Sequence, residues 1–212
     1  MPVNNNGNLT FNNGTVDSYG GINNYGTLTI NNGSITGKNT SAISTFGKVT
    51  VNGGTILTKS NNSAISVIAN TTTINGGNVT SELGDGIYVS YAYRYGYGSL
   101  VVNGGVVTGH QNGIASYDTS NSIKVTNGNI IGTNAVGVIT NCTSTLLGGV
   151  IEGGTYGVQV TNGTTNIGTD DGTIDIDAPI LKGDLYGLYI SGGTINFSDG
   201  ILKGATNADY GQ

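Results

Sequence analysis

The chain has 212 residues, of which 38 are Gly and only 2 Pro, and it is 9% charged where an ordinary globular domain is about 25% charged. Disordered tails are charge-rich and poor in β-branched residues, so the abundant Val, Ile and Thr exclude that class. The net charge is −5 with only 7 Lys and Arg, which leaves no basic stripe for phosphates and argues against nucleic acid as a partner. No apolar run approaches the ~20 residues of a membrane helix, so membrane insertion is not expected. The amino terminus lacks the apolar stretch of a signal peptide. The single Cys142 cannot form an internal disulfide and reads as a small apolar residue.

In chain order, the first repeat places apolar residues at Leu9, Phe11 and Val16, with Asn13-Gly14 between the last two. The second follows with Ile22, Leu28, Ile30, Asn32-Gly33 and Ile35, and the third with Ile43, Val49, Val51, Gly53-Gly54 and Ile56. The fourth has Ile65, Thr72, Ile74, Gly76-Gly77 and Val79; the fifth has Ile87, Leu100, Val102, Gly104-Gly105 and Val107. The sixth has Ile114, Ile123, Val125, Asn127-Gly128 and Ile130, and the seventh Val138, Ser144, Leu146, Gly148-Gly149 and Ile151. The eighth reads Val158, Ile174, Ile176, Ala178-Pro179 and Leu181, and the ninth Leu188, Ile195, Phe197, Asp199-Gly200 and Leu202.

Apolar residues two apart with polar residues between them predict strands with one buried face. Three short strands per repeat, with no helical periodicity, form a parallel sheet only by coiling. Each strand then pairs with its equivalents one turn away at about 4.8 Å. The strict six-residue period of left-handed hexapeptide helices is absent, as are Asp-bearing calcium nonapeptides. The expected fold is all-β: a right-handed single-stranded parallel β-helix of nine coils, forming one domain over 1–212. The Gly and Asn pairs mark a fixed corner, because those residues tolerate a left-handed backbone. Just before that corner stand Asn12, Asn31, Asn52, Asn75 and Asn103, whose stacked amides are expected to hydrogen-bond along the axis.

The NGGTI-type corners resemble the right-handed β-helices of the pectate-lyase-like superfold, and more narrowly the adhesin-like repeat proteins of the bacterial cell surface. NIGTDDGTIDIDAPILKGDLYGLY at 166–189 and INFSDGILKG at 195–204 are similar to repeats in large cell-surface proteins of Gram-positive bacteria. The resemblance implies an extracellular, surface-exposed module. The superfold carries lyases, hydrolases and plain adhesins alike, so activity must be argued from the site.

Glycoside hydrolysis needs two carboxylates about 5–9.5 Å apart, which in a solenoid means one column on adjacent coils. Asp85 has Ser63 and Asn112 as column neighbours, and Glu152 has Ile131 and Lys182, so neither forms an acid pair. Arg94 is the lone arginine, and His110 has no aligned partner. No catalytic residue, metal site or cofactor is expected. Asp170 and Asp171, with Asp175 and Asp177 beyond them, read as a solvated acidic turn that matches no calcium loop.

Loop lengths carry more. From the fourth column to the next first column the chain is stretched between Ile87 and Leu100, between Ile114 and Ile123, and between Val158 and Ile174, all at one corner. Insertions clustered on one edge mark a binding face. Loop 88–98 carries Tyr91, Tyr93, Arg94, Tyr95 and Tyr97, and alternate tyrosines in an extended segment would share one side. Loop 117–121 adds Tyr117 and Asp118. Tyrosine offers a flat apolar face with a hydroxyl tip, suited to a glycan or a surface protein. The alternatives are that the rings shield the solenoid flank, or that they mediate self-association.

The leading expectation is therefore a non-enzymatic adhesin-like or scaffold module with a loop-built binding edge. A polysaccharide lyase or hydrolase is the alternative. Paired outward threonines such as Thr27/Thr29 and Thr71/Thr73 admit an ice-binding face, interrupted by Lys48, Lys124 and Asp175. The opening residues Val3 to Gly7 match Ile22 to Gly26, so the chain reads as a segment of a longer solenoid, with head-to-tail stacking into a filament as the other reading.

Overall fold

The computed structural model describes residues 1–173 and 178–204. Those residues form a parallel β-solenoid whose strands fall in three sheets. The first sheet runs from Val3–Asn5 to Tyr186–Ile190, the second from Asn8–Phe11 to Thr194–Phe197, and the third from Thr15–Ser18 to Ile201–Lys203. One strand per coil enters each sheet, giving nine coils.

The register follows the apolar columns. Leu28 pairs with Leu9 and Val49, Ile35 with Val16 and Ile56, and Ile43 with Ile22 and Ile65. Each column points inward, and Ile22, Ile43, Ile65, Ile87 and Ile114 are wholly buried. The interior is one continuous apolar stack, because a coil's inward side chains can be buried only by the coils above and below it. Cys142 is buried in it beside Thr140 and Ser144.

The corner between the second and third sheets is the one the Asn and Gly pairs predict. Gly54 has φ +86, and the equivalent Gly14, Gly33, Gly77, Gly105, Gly128, Gly149 and Gly200 also have positive φ. The amide ladder beside it is continuous. Asn31 donates to Asn12 at 2.7 Å, Asn52 to Asn31 at 2.8 Å, Asn75 to Asn52 at 2.9 Å and Asn103 to Asn75 at 2.9 Å. Thr126 continues it by donating its hydroxyl to Asn103. A second, buried ladder not expected from the sequence runs from Asn5 through Asn24 to Thr45, the last residues of their first-sheet strands.

The eighth coil differs from the sequence expectation. Its second-sheet strand is Thr164–Ile167, with Thr165 and Ile167 paired to Ser144 and Leu146 on one side and to Ile195 and Phe197 on the other. Ile174 and Ile176, expected in those columns, lie outside the described residues, as do Asp175 and Asp177. The step from Val158 to Thr165 is as short as in most coils, so the chain does not loop out at the first corner. The extra residues leave from the glycine corner instead, between Ile167 and the third-sheet strand Ile180–Gly183, and close on a cis Ala178–Pro179 peptide. The insertions that share one corner are thus the two at 88–98 and 117–121.

Candidate functional site

The Tyr-rich segment is a hairpin rather than an extended strand. Tyr91–Ala92 pairs antiparallel with Gly96–Val102, which sets Tyr91 opposite Tyr97 and Ala92 opposite Gly96. Gly96, at φ +100, makes the turn. The four tyrosines therefore diverge. Tyr91 and Tyr97 stack with centroids 5.3 Å apart, Tyr93 stands at the tip 90% exposed, and Tyr95 folds back edge-on to Phe46 at 4.7 Å. Phe46 in turn stacks on Tyr25 at 5.0 Å, with the rings nearly parallel. Tyr25 and Phe46 occupy the same corner of successive coils, so Tyr25, Phe46 and Tyr95 form an aromatic strip along the axis. Arg94, exposed beside Tyr93, forms no ion pair among the described residues.

The hairpin is fastened by Asn121, the last residue of loop 117–121, which no motif in the sequence marks. Asn121 is buried; its Oδ1 accepts from Gly98 N–H at 3.1 Å, and its Nδ2 donates to Val89 C=O at 3.0 Å and Ser116 Oγ at 3.1 Å. Asp118 caps its own turn by accepting from Ser120 N–H at 2.9 Å. Loop 117–121 thus anchors the hairpin from the next coil.

Tyr117 belongs to a different surface. Its ring lies 6.1 Å from that of Tyr88, over the outer face of the first sheet. Tyr88 projects from the middle of its strand in line with Ser66 and Ala115. These rings and Asp85 border an open groove of about 420 Å³ whose remaining wall carries the hydroxyls and amides of Ser41, Ser63, Ser66 and Asn62. Asp85 Oδ1 accepts from Asn112 N–H at 3.1 Å and Asn112 Nδ2 at 2.8 Å. Burial pushes the Asp85 carboxyl above the ordinary carboxylate range, opposed by those two Asn112 hydrogen bonds. Burial also raises the Tyr117 phenol, and the nearby Asp85 and Tyr88 add to that shift.

Further along the same face lies a second tyrosine cluster, outside the residues singled out from the sequence. Tyr156 stacks on Tyr189 at 4.6 Å and on Tyr186 at 5.9 Å. Between it and Tyr88 lie Ala115, Val136 and Ile139. Tyr156 and Tyr186 are in register one coil apart, each directly before the Gly of its strand, and Tyr189 shares the strand of Tyr186, so the paired Tyr-Gly steps at 156–157 and 186–187 are the sequence signal for this cluster.

The carboxylates weighed for catalysis are dispersed. Glu152 pairs with Lys182 at 2.6 Å, and Asp171 accepts from the Thr173 backbone and hydroxyl, which holds its carboxyl below the usual range. Among the described residues no three His, Cys, Asp or Glu side chains gather as metal ligands, and no helix is long and apolar enough to cross a membrane. No protein-family model matches the chain, and no curated protein or solved structure matches it either.

Proposed function

We propose that the protein is a non-enzymatic, extracellular adhesin-like module of the parallel β-helix class, in which the solenoid is a scaffold and the aromatic corner contacts a glycan. The observation that carries this reading is the strip Tyr25, Phe46 and Tyr95 continued by the exposed Tyr93 and Tyr97 on a hairpin fastened by Asn121. Flat rings ending in hydroxyls bind sugar faces by apolar contact and sugar hydroxyls by hydrogen bonding, at little conformational cost. A fastened hairpin keeps that surface ordered before the ligand arrives. The surface location rests on the resemblance of the corner repeats to bacterial cell-surface proteins.

A glycan array comparing the wild type with a Tyr93→Ala/Tyr97→Ala variant tests the reading, with circular dichroism to verify that the solenoid is intact. Binding of defined glycans by the wild type, lost in the variant, is expected. Equal binding by both, or no binding by either, overturns it. Turnover of a polyuronide, seen as unsaturated products or new reducing ends, would replace it with the enzymatic alternative.

A further inference from the structure

We propose that the groove bordered by Asp85, Tyr88 and Tyr117 binds an organic ammonium group. Three observations converge. First, Asp85 is a half-buried carboxylate whose charge no cationic side chain answers: the ion pairs among the described residues are Lys38 with Asp17 and Lys182 with Glu152, and no Lys or Arg borders the groove. Second, both donors that reach Asp85 come from Asn112 and converge on Oδ1, leaving Oδ2 without a donor among the described residues. Third, two tyrosine rings, tilted by 44° to one another, border the groove together with the carboxylate. A carboxylate flanked by aromatic rings is the environment that attracts alkylammonium groups, through the ring quadrupole and the opposite charge together.

Other occupants fit less well. A divalent metal requires several oxygen ligands with more than one carboxylate as a rule, and Asp85 is alone. An anion, including an acidic sugar, meets the Asp85 charge with nothing to offset it. The Ser41, Ser63 and Ser66 hydroxyls and the Asn62 amide can hydrogen-bond to the rest of an ammonium-bearing molecule. The site is separate from the hairpin, so failure of the hairpin to bind glycans leaves this proposal standing.

The test is an NMR titration of the intact chain with choline, glucosamine and N-acetylglucosamine, following the Asn112 side-chain and Tyr117 backbone amides. Saturable binding of choline, of glucosamine or of both is expected, with N-acetylglucosamine at least about tenfold weaker because it lacks the charge. Preference for choline identifies a quaternary headgroup as the source, and preference for glucosamine an amino sugar. Asp85→Asn, which keeps the shape of the side chain, should weaken binding at least about tenfold. Ser66→Lys, which sets a tethered ammonium in the groove without altering Asp85, should abolish it. Absence of saturable binding by both amines, equal binding of N-acetylglucosamine, or full binding by a folded Ser66→Lys variant overturns the proposal.

Discussion

Individual residues in this fold are constrained by neighbours one coil away. Gly54 illustrates it: a Cβ there would lie 2.6 Å from the Gly33 carbonyl oxygen, at a φ of +86. Gly54→Val should lower stability by about 2–5 kcal/mol, combining positive-φ strain with the clash. Gly7, where a Cβ meets nothing within 4 Å, is the control, and Gly7→Ala should change the urea midpoint little. Equal losses at the two sites would sink the corner argument. Gly37 is confined in another way: a Cβ there would lie 2.6 Å from the Thr40 carbonyl oxygen, so its confinement comes from space rather than from φ. Thr72 poses the opposite case. It sits in the first inward column between Val49 and Leu100, and its hydroxyl is buried with no partner among the described residues. Thr72→Val keeps the shape and removes the unpaired hydroxyl, so it should stabilise the protein by about 1–2 kcal/mol; destabilisation would show that the hydroxyl is paired in solution. For Asp85 the native carboxyl is raised above its unfolded value, so the native state binds the proton more tightly. Stability is then highest below the ordinary carboxylate pKa and falls as pH rises through the raised native value. The difference between wild type and Asp85→Asn, measured by thermal melts across that window, should carry this slope; a difference independent of pH would remove it.

At the level of elements, the sequence announces strands wherever both inward residues are apolar, and a strand with one polar inward residue, as at Thr72 and Ser144, is legible only while the coil spacing stays regular. The columns through Leu28, Val49 and Ile123 are read directly because apolar and polar residues alternate on each strand. Thr165 breaks that signal, and Ile174 with Ile176 imitates it one insertion later, which is why the eighth coil was expected in the wrong place. The candidate site was half legible for a related reason. Tyrosine spacing located the loop, but alternate spacing says nothing of a Gly96 turn that folds it into a hairpin, and a lone Asn in a polar loop gives no hint of burial. Asn121→Ala tests that hidden fastening. It leaves Gly98 N–H to its other acceptor, Ser90 C=O at 3.1 Å, and strips Val89 C=O and Ser116 Oγ of their Asn121 donor. The loss should be about 2–4 kcal/mol if both buried groups go unpaired, with hydrogen exchange faster at Tyr97 and Gly98 than in the third sheet. Uniform acceleration across all three sheets would mean that Asn121 supports the solenoid as a whole rather than the hairpin.

For the whole molecule, stability is approximately a sum of coil terms and coil-to-coil interfaces. Central and outer coils should therefore respond differently to the same kind of change. Ile65 is wholly buried with Ile43 on one side and Ile87 on the other. Among the described residues Leu9 pairs with Leu28 alone, and it is only partly buried. Ile65→Ala should cost about 2–5 kcal/mol, transfer and cavity terms together. Leu9→Ala removes a side chain that water already reaches, so its cost should be less than half as large. Exchange protection should grade accordingly. Amides of Ile65–Val67 and Ile87–Val89 should open only with global unfolding, whereas those of Asn8–Phe11 and Thr194–Phe197 open by local fraying. Leu9→Ala should then speed exchange in the first coil and leave the central coils unchanged, while Ile65→Ala should lower protection on both sides of the coil it interrupts. Identical protection in outer and central coils would show that the stack unfolds as one cooperative unit, and the nearest-neighbour description would have to be abandoned.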